Sequence, residues 1–592
     1  MRYLIKVAIV VLLIGAVGAF AALTLVPDLR WRVHVLPLSA TGQIPDVSFG
    51  QLLRMIVPGS GYYVKALAET RNPYYSIRNP TEGADSVAAG ERLFNAQCAT
   101  CHGPEGVGAS APALSGDAYR HGDSDWAIFR TVSLGVPGTA MASQALEEKQ
   151  IWNIIAYLRE LRLSKEDAPR TSSYEIVPVT AQRLKEDDSE PDNWLGYNGG
   201  YSGHRYSRLN QVNRENAGSL QVKWIHQFSG DLSIVETSPI VNGEVMYVTE
   251  PPNTVHALDP ASGHTYWTYR HHNDDNLALC CGAVNRGVAV YGDTVYMGTL
   301  DAHLVALDAA TGALRWEAKL AEHEQGVSIT SAPLVVGDLV IVGYGGGDLG
   351  SRSFIDALSA SDGTRKWRVY SIPGPGEPGN ETWSGDSWKT GGAATWLTGV
   401  YDPDLDLIYW GIGNPGPDYQ GDLRKGDNLY SNSVLALRPE SGELVWYFQF
   451  TPHDERDWDS NQIPALVDMP WKGVDRKLML WPNRNGFYYV LDRATGEFLQ
   501  ATPFMPQNWA EGIDESGRPI EKPDMAVSTR GVATWPGVIG AINWQSPTFS
   551  PRTGLHYLPV LVWGQMIYKH PTPSDYRPGY LFLGVRRVLF RE

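Results

Sequence analysis

Cysteine is almost missing from this chain: 592 residues hold four, at positions 98, 101, 280 and 281. So small a supply excludes a fold stapled by many disulfides. Both pairs are also too tight in sequence for an ordinary loop-closing bridge. Positive charge is in deficit. Lys and Arg number 49 against 65 Asp and Glu, a net charge of −16, which argues against nucleic acid as a partner. Methionine is scarce too, and Met141 is the only one between Met55 and Met246. What abounds is glycine, 61 residues, and tryptophan, 20, which points to a glycine- and aromatic-rich β architecture. The length suggests several domains.

Long apolar runs are equally rare, and the one from Leu4 to Val26 stands out. It is long enough to span a bilayer as a helix. Arg2 and Lys6 before it favour a cytoplasmic N-terminus, although Arg30 and Arg32 follow and weaken the asymmetry. Ala19-Phe20-Ala21 also resembles a cleavage site, so a removed signal peptide is the alternative. Residues 1–27 are therefore expected to anchor an exported protein on the periplasmic side of a bacterial inner membrane, or to leave it soluble in the periplasm after cleavage. Residues 28–83 read as an irregular, membrane-proximal segment.

Residues 84–163 change character. Cys98-Ala99-Thr100-Cys101-His102 is the attachment signature of a c-type haem. Two thiols add to the haem vinyls, and the adjacent imidazole is placed to ligate the iron. A zinc or redox C-x-x-C is disfavoured because His102 follows directly and no second C-x-x-C exists. Met141 is the expected second axial ligand, and thioether ligation raises the haem potential, which suits an electron acceptor. Leu146, Ile151, Ile154, Ile155, Leu158 and Leu161 recur at helical spacing and predict a closing helix. The region resembles a small all-α class I cytochrome c domain. Residues 164–193, polar and charged, read as a linker.

From Trp194 a repeat appears. Val255-His256-Ala257-Leu258-Asp259-Pro260-Ala261-Ser262-Gly263 leads to Trp267, and Leu304-Val305-Ala306-Leu307-Asp308-Ala309-Ala310-Thr311-Gly312 leads to Trp316. Weaker copies place Gly363 before Trp367, Gly442 before Trp446 and Gly496 before Phe498. A strand, an Asp/Gly turn and a strand ending in Trp, recurring every ~50 residues, reads as propeller blades. The longer interval between Gly363 and Gly442 contains Ser371 to Thr395, an insertion expected to lie over one face of the propeller.

The acidic stretch from Thr451 to Asp459 carries Asp454, Glu455, Asp457 and Asp459. In an extended segment residues two apart share a side, so Asp457 and Asp459 would point into one pocket. Aimed carboxylates repel unless a cation sits between them. The alternative is a solvated acidic loop.

Four motifs now carry a family resemblance. They are Cys280-Cys281-Gly282-Ala283-Val284-Asn285-Arg286-Gly287, Gly411-Ile412-Gly413-Asn414-Pro415, Thr451-Pro452-His453-Asp454, and Asn483-Arg484-Asn485-Gly486. With them, residues 194 to about 570 resemble the pyrroloquinoline quinone-dependent alcohol dehydrogenases, eight-bladed propellers. The resemblance implies a disulfide between Cys280 and Cys281 packed on one face of the quinone, with buried free thiols as the alternative. It implies Trp396 as the platform on the other face, against the alternative of a core Trp. Glu236, Arg286, Thr330 and Asn543 would bind the cofactor, each otherwise a structural hydrogen-bonding residue. Gly346 and Gly347 would border it, in a segment that usually offers a Ser hydroxyl. Arg484 would donate to the quinone oxygens.

The same resemblance implies a metal held by Asp348, Asn414, Asp457 and Asp459, polarising the quinone carbonyl as a Lewis acid. Asp457 would also be the general base. Calcium members usually carry a small residue where this chain has Asp459, whereas lanthanide-dependent members carry Asp. Three carboxylates also neutralise a trivalent ion, so a lanthanide is expected, with Ca2+ as the alternative. The family normally has Glu where Asp348 stands. No role is assigned to Arg456.

These expectations amount to a quinohaemoprotein that oxidises a small alcohol and passes electrons through its fused haem to a downstream cytochrome or membrane acceptor. Relatives continue beyond the point where this chain stops, so residues 194–592 are expected to give about six blades, with C-terminal blades missing. A truncated inactive derivative and a non-catalytic propeller scaffold bearing a haem are the competing readings. The adjacent cysteines and the Asp/Asn/Asp set favour the enzyme, because a scaffold has no use for them.

Overall fold

A computed structural model describes residues 79–81, 83–114, 125–136, 139–166, 174–228, 234–273 and 277–591. The expected anchor at 1–27 and most of the membrane-proximal segment lie outside these residues. Among the described residues no helix is long and apolar enough to cross a membrane. The chain divides into two compact units.

The smaller unit is helical. Helices Ala84–Gln97, Ala99–His102, Asp125–Leu134 and Glu148–Glu166 carry its regular structure. Ile151, Ile154, Ile155 and Leu158 of the last helix are buried with Phe94, Trp126, Phe129 and Trp152 in one apolar core. Gly90 explains how closely the first and last helices cross. A Cβ there would sit 1.9 Å from the Asn153 carbonyl oxygen, so only glycine fits. The Arg159 guanidinium reaches Asp125 at 2.7 Å and ties the last two long helices together.

The larger unit is a β-propeller built of antiparallel four-stranded sheets. Five complete sheets span residues 240–270, 289–319, 334–370, 400–449 and 465–503. A sixth sheet has three strands, Val532–Thr534, Gly564–Lys569 and Val585–Arg591. The inner strands are apolar along their length, and Thr254–Leu258, Thr294–Gly298, Leu339–Gly343, Phe354–Ser359, Leu407–Gly411 and Ser433–Leu437 are buried throughout. Strands buried on both faces lose the polar alternation of a half-exposed strand.

The repeat's two signature residues meet across blade boundaries. The Cβ that Gly312 lacks would lie 2.5 Å from the Trp267 ring of the preceding blade. Gly363 sits in the same way under Trp316, Gly442 under Trp367 and Gly496 under Trp446. Each of these glycines has φ between 72° and 77°, the left-handed region that a side chain rarely adopts. The Trp267 indole donates to the Ala309 carbonyl at 3.0 Å, and the Trp367 indole to that of Pro439 at 2.8 Å.

The linker expectation needs correcting at its C-terminal end. From Tyr174 onward the chain is part of the propeller core. Val179 is fully buried and pairs with Gly292, Leu184 is buried, and the Tyr174 hydroxyl donates to Ala309 at 2.8 Å. The polar composition concealed three apolar residues spaced for insertion into an existing core. Beyond it, Trp194 pairs with Val241 of the first blade, the Tyr201 hydroxyl donates to Val335 of the third, and the Ser202 carbonyl accepts from Leu466 of the fifth.

Candidate functional site

The loops on one side of the third, fourth and fifth blades converge on a buried acidic pocket. Asp348 enters on a short 3-10 turn, Gly347–Leu349, directly after the inner-strand exit. Gly346 before it has φ 107°, and a Cβ there would strike the Gly326 carbonyl at 2.0 Å. Gly347 is packed against Ala394. Asn414 follows the fourth blade's second strand, and its backbone N–H donates to Asp459 Oδ1 at 2.9 Å. A side chain at Gly413 would collide with that same oxygen.

The segment 451–459 is a turn-rich loop rather than the extended run expected from its alternation. His453 has φ 51° and Asp457 φ 63°, so the two-residue alternation is broken twice. Its four carboxylates consequently have different fates. Asp454 is fully buried and takes the N–H groups of Arg456 and Trp458 at 3.0 and 2.7 Å, and burial pushes its carboxyl up to about 6. Glu455 pairs with Lys569 at 2.7 Å. Asp457 turns into the pocket, where its Oδ2 accepts from the Tyr419 hydroxyl at 3.2 Å. Asp459 accepts from the Trp396 indole at 3.0 Å and pairs with Arg484 at 3.2 Å. Arg456 is buried between Trp458 and Trp509, its guanidinium 5.3 and 5.4 Å from their ring centroids.

Carboxylate oxygens of Asp348, Asp418 and Asp457 lie within 4.8 Å of one another. Burial raises the pKa of all three, and their mutual repulsion, with that of Asp459, raises it further. A pocket whose acids resist losing their protons is one that a cation would stabilise. No hydrogen bond of ordinary geometry reaches Asn414 Nδ2 or either carboxylate oxygen of Asp418, two buried groups that face each other in the pocket. The donor set, carboxylates plus an amide, fits a hard cation that prefers oxygen. Asp418 and Tyr419 were missed in the sequence. The only signal was an acid four residues after Asn414, in the same Gly/Pro loop.

Beside the acids lies a cationic, aromatic wall. Arg286 pairs with Glu236 at 2.5 Å and donates to the Thr330 hydroxyl at 2.9 Å. Its guanidinium stands 4.6 Å from the Trp396 ring centroid, and that of Arg484 stands 5.7 Å from it. Arg484 also donates to Asn543 Oδ1 at 3.1 Å and to the Asp457 carbonyl at 3.2 Å. Gly540, at φ 78°, leaves room for it, since a Cβ would lie 2.5 Å from Arg484 Cγ. The Nε atoms of Arg286 and Arg484 are buried without partners, as expected of a wall built for an anionic, multiply hydrogen-bonding ligand. Cys280 and Cys281 are not joined here. Their sulfurs and an Asp348 oxygen lie within 4.8 Å of one another. The neighbouring Cys281 and burial push the Cys280 thiol well up.

In the helical unit, Cys98 ends the first helix, and Cys101 and His102 follow on the short helix Ala99–His102. His102 Nδ1 contacts the Pro112 carbonyl at 2.8 Å, which fixes the ring and leaves Nε2 for a metal. Met141 and Cys98 both pack, partly buried, against the same apolar core. The site residues thus form two groups, one in each unit.

Comparison with known proteins agrees with this division. Residues 194–506 match the β-propeller domain of glucose/ethanol/alcohol dehydrogenases, and residues 85–158 match cytochrome c oxidase, cbb3-type, subunit III. The quinoprotein alcohol dehydrogenase PedH of Pseudomonas putida is 37% identical over 433 residues, 69% of this chain and 72% of that one. The quinohaemoprotein alcohol dehydrogenase ADH-IIG of the same species is 39% identical over 440 residues, 70% of this chain and 61% of that one. A europium-containing methanol dehydrogenase is similar in structure, with a TM-score of 0.66 at 36% identity, over 69% of this chain and 75% of that one.

Proposed function

This chain belongs to the quinoprotein alcohol dehydrogenase family, with a cytochrome domain preceding the propeller, and on that premise we propose that it oxidises a small alcohol with pyrroloquinoline quinone and passes the electrons to its own haem c. The observation that carries the reading is the convergence of Asp348, Asp418 and Asp457 beside Arg484 and Trp396.

Glu236, Arg286, Thr330, Arg484 and Asn543 would hold the quinone's polar edge, with Gly346 and Gly347 bordering it, Trp396 on one face and a Cys280–Cys281 disulfide on the other. Asp348, Asn414, Asp457 and Asp459 would hold the cation, a lanthanide in preference to Ca2+. Bound there, the quinone supplies a hydride acceptor and the cation polarises its carbonyl.

The chain's own part is proton transfer and positioning. Asp457 takes the alcohol's hydroxyl proton as general base. Its Oδ2 is steadied by the Tyr419 hydroxyl and its backbone carbonyl by Arg484, which leaves Oδ1 for the substrate. A cation restores the ionised form of Asp457 that burial and its acidic neighbours oppose. Arg484 spans the site, contacting Asp459, Asn543 and the Asp457 carbonyl, so one planar side chain sets the spacing between base and cofactor wall.

Cys98 and Cys101 would carry the haem, with His102 and Met141 as axial ligands and a downstream cytochrome or membrane acceptor as the exit. The apolar N-terminal run supports a periplasmic location on a membrane anchor. The test is dye-linked alcohol oxidation by the purified chain reconstituted with pyrroloquinoline quinone, with lanthanum and calcium compared side by side. Turnover with lanthanum is the expected result, and no turnover with either metal, the haem spectrum being intact, overturns the proposal.

A further inference from the structure

We infer that Asp418 is a direct ligand of the cation and the residue that sets its preference for a trivalent ion. This rests on the metal reading of the acidic pocket given above.

Asp418 is 0% exposed, and no hydrogen bond of ordinary geometry reaches either of its carboxylate oxygens, the Asn414 amide being the one neutral group beside them. Other buried acids of the propeller are satisfied by the protein itself. Asp454 takes two backbone N–H groups. Asp459 takes the Asn414 N–H, the Trp396 indole and Arg484. Asp356 takes Tyr344 and Arg368. A buried carboxylate left with nothing is costly in its charged form.

Among the described residues no side-chain cation pairs with it, and the Arg424 charge acts on it only from a distance. Arg424, the guanidinium nearest in the sequence, is committed to Asn428 Oδ1 and to the carbonyls of Pro417 and Asp454. The Asn414 amide beside it is likewise without a hydrogen bond of ordinary geometry at Nδ2. What faces Asp418 is Asp348 and Asp457, with ligand atoms all within 4.8 Å, a spacing that oxygens around one hard cation adopt.

The charges then sort into two sets. Asp348, Asp418 and Asp457 contribute three negative charges to the pocket, and Asn414 contributes none. The charge of Asp459 is already met by Arg484 at 3.2 Å. A trivalent ion neutralises the first set, whereas a divalent ion leaves one charge over in a buried site. The third negative charge therefore comes from the Gly413–Tyr419 loop, and Asp459 serves the cation as a ligand whose own charge Arg484 offsets.

The experiment is terbium(III) luminescence, sensitised by tryptophan, on the purified full chain stripped of metal. It compares wild type, D418N and D457N, with calcium as competitor. D418N is expected to weaken terbium binding on the order of 10- to 100-fold, the scale seen when a supporting group of a metal site is lost. Calcium affinity should change by much less. Luminescence lifetimes in H2O and D2O should report additional bound water. Metal-free D418N should also melt at a higher temperature than metal-free wild type, because one of three crowded, mutually repelling acids has gone. A residue with only a structural role would move melting the other way.

Unchanged terbium affinity and hydration in D418N, with D457N impaired, would overturn the role of Asp418 and leave the pocket's metal reading intact. If wild type itself fails to bind terbium while folded, the metal reading falls, and Asp418 with it. Should D418N not fold, D418S is measured by the same lifetimes.

Discussion

The Trp396 indole donates to Asp459 Oδ2 at 3.0 Å, and the Arg484 guanidinium meets the same oxygen at 3.2 Å. One carboxylate oxygen thus fixes both the aromatic platform and the cation of the cofactor wall. Hydrogen bonds to charged groups contribute about 1.5–3 kcal/mol. D459A is therefore expected to weaken binding of pyrroloquinoline quinone by roughly 10- to 100-fold, read by quenching of tryptophan fluorescence. Equal affinity in D459A and wild type would refute this positioning.

Asp457 is assigned the proton. Removal of a general base typically costs 10²- to 10⁴-fold, so D457N should lose about that much kcat while its haem spectrum stays unchanged. Replacing the Tyr419 hydroxyl with Tyr419→Phe should give a smaller loss, since the base remains and only its tether at 3.2 Å is cut.

The haem arm is separable. Met141→Ala should lower the haem midpoint potential, because a thioether ligand raises it. Turnover with a dye that bypasses the haem should persist. A potential equal to wild type in a redox titration would exclude Met141 as an axial ligand.

The glycines under the tryptophans can be weighed against an internal control. Gly312→Ala places a methyl 2.5 Å from the Trp267 ring at φ 74°, whereas Gly473→Ala meets nothing within 4 Å at φ 85°. Both pay for the left-handed backbone, but only the first overpacks, at about 1–3 kcal/mol more. The propeller of G312A should melt several degrees below that of G473A, as followed by scanning calorimetry. Equal melting would show that the ring contact contributes nothing.

One pH dependence is expected away from the site. His556 accepts from the Tyr488 hydroxyl at 2.7 Å, and burial lowers its pKa from 6.5 to about 4. The folded state thus favours the neutral ring. Its contribution is complete above pH 6.5 and is lost as the pH falls toward 4. His556→Gln should melt with a flatter pH profile than wild type across that window.

How legible was this molecule in its sequence? The haem signature was readable because its three chemical groups are consecutive, from Cys98 to His102. The blades were readable because a period survives even where individual residues drift, as in Gly496 before Phe498. What the repeat could not reveal was that Gly312 serves Trp267 rather than Trp316, since that contact lies between units. Cys280, Arg286, Asn414 and Arg484 were found through motifs. Asp418 was not, because a loop of Gly and Pro carries no periodicity and only the fold brings it to Asp348. The differing directions of Asp457 and Asp459 were equally hidden. Left-handed backbone at His453 and Asp457 overrides strand alternation, and neither residue type announces it. The supposed linker failed for the opposite reason: Val179 and Leu184 are too few to show a pattern, yet enough to anchor a segment.

The interlocking of glycine and tryptophan also bears on how such a ring is inherited. The second to fifth blades each offer a bare backbone to the neighbour before them, and the first to fourth each ask one of the neighbour after them. A duplicated or deleted stretch of one repeat length therefore rejoins its flanks with every tryptophan again seated on a glycine, whichever boundary it is cut at. Blade number can change by whole copies without any new contact having to be invented, whereas a change of half a copy strands a tryptophan at each seam.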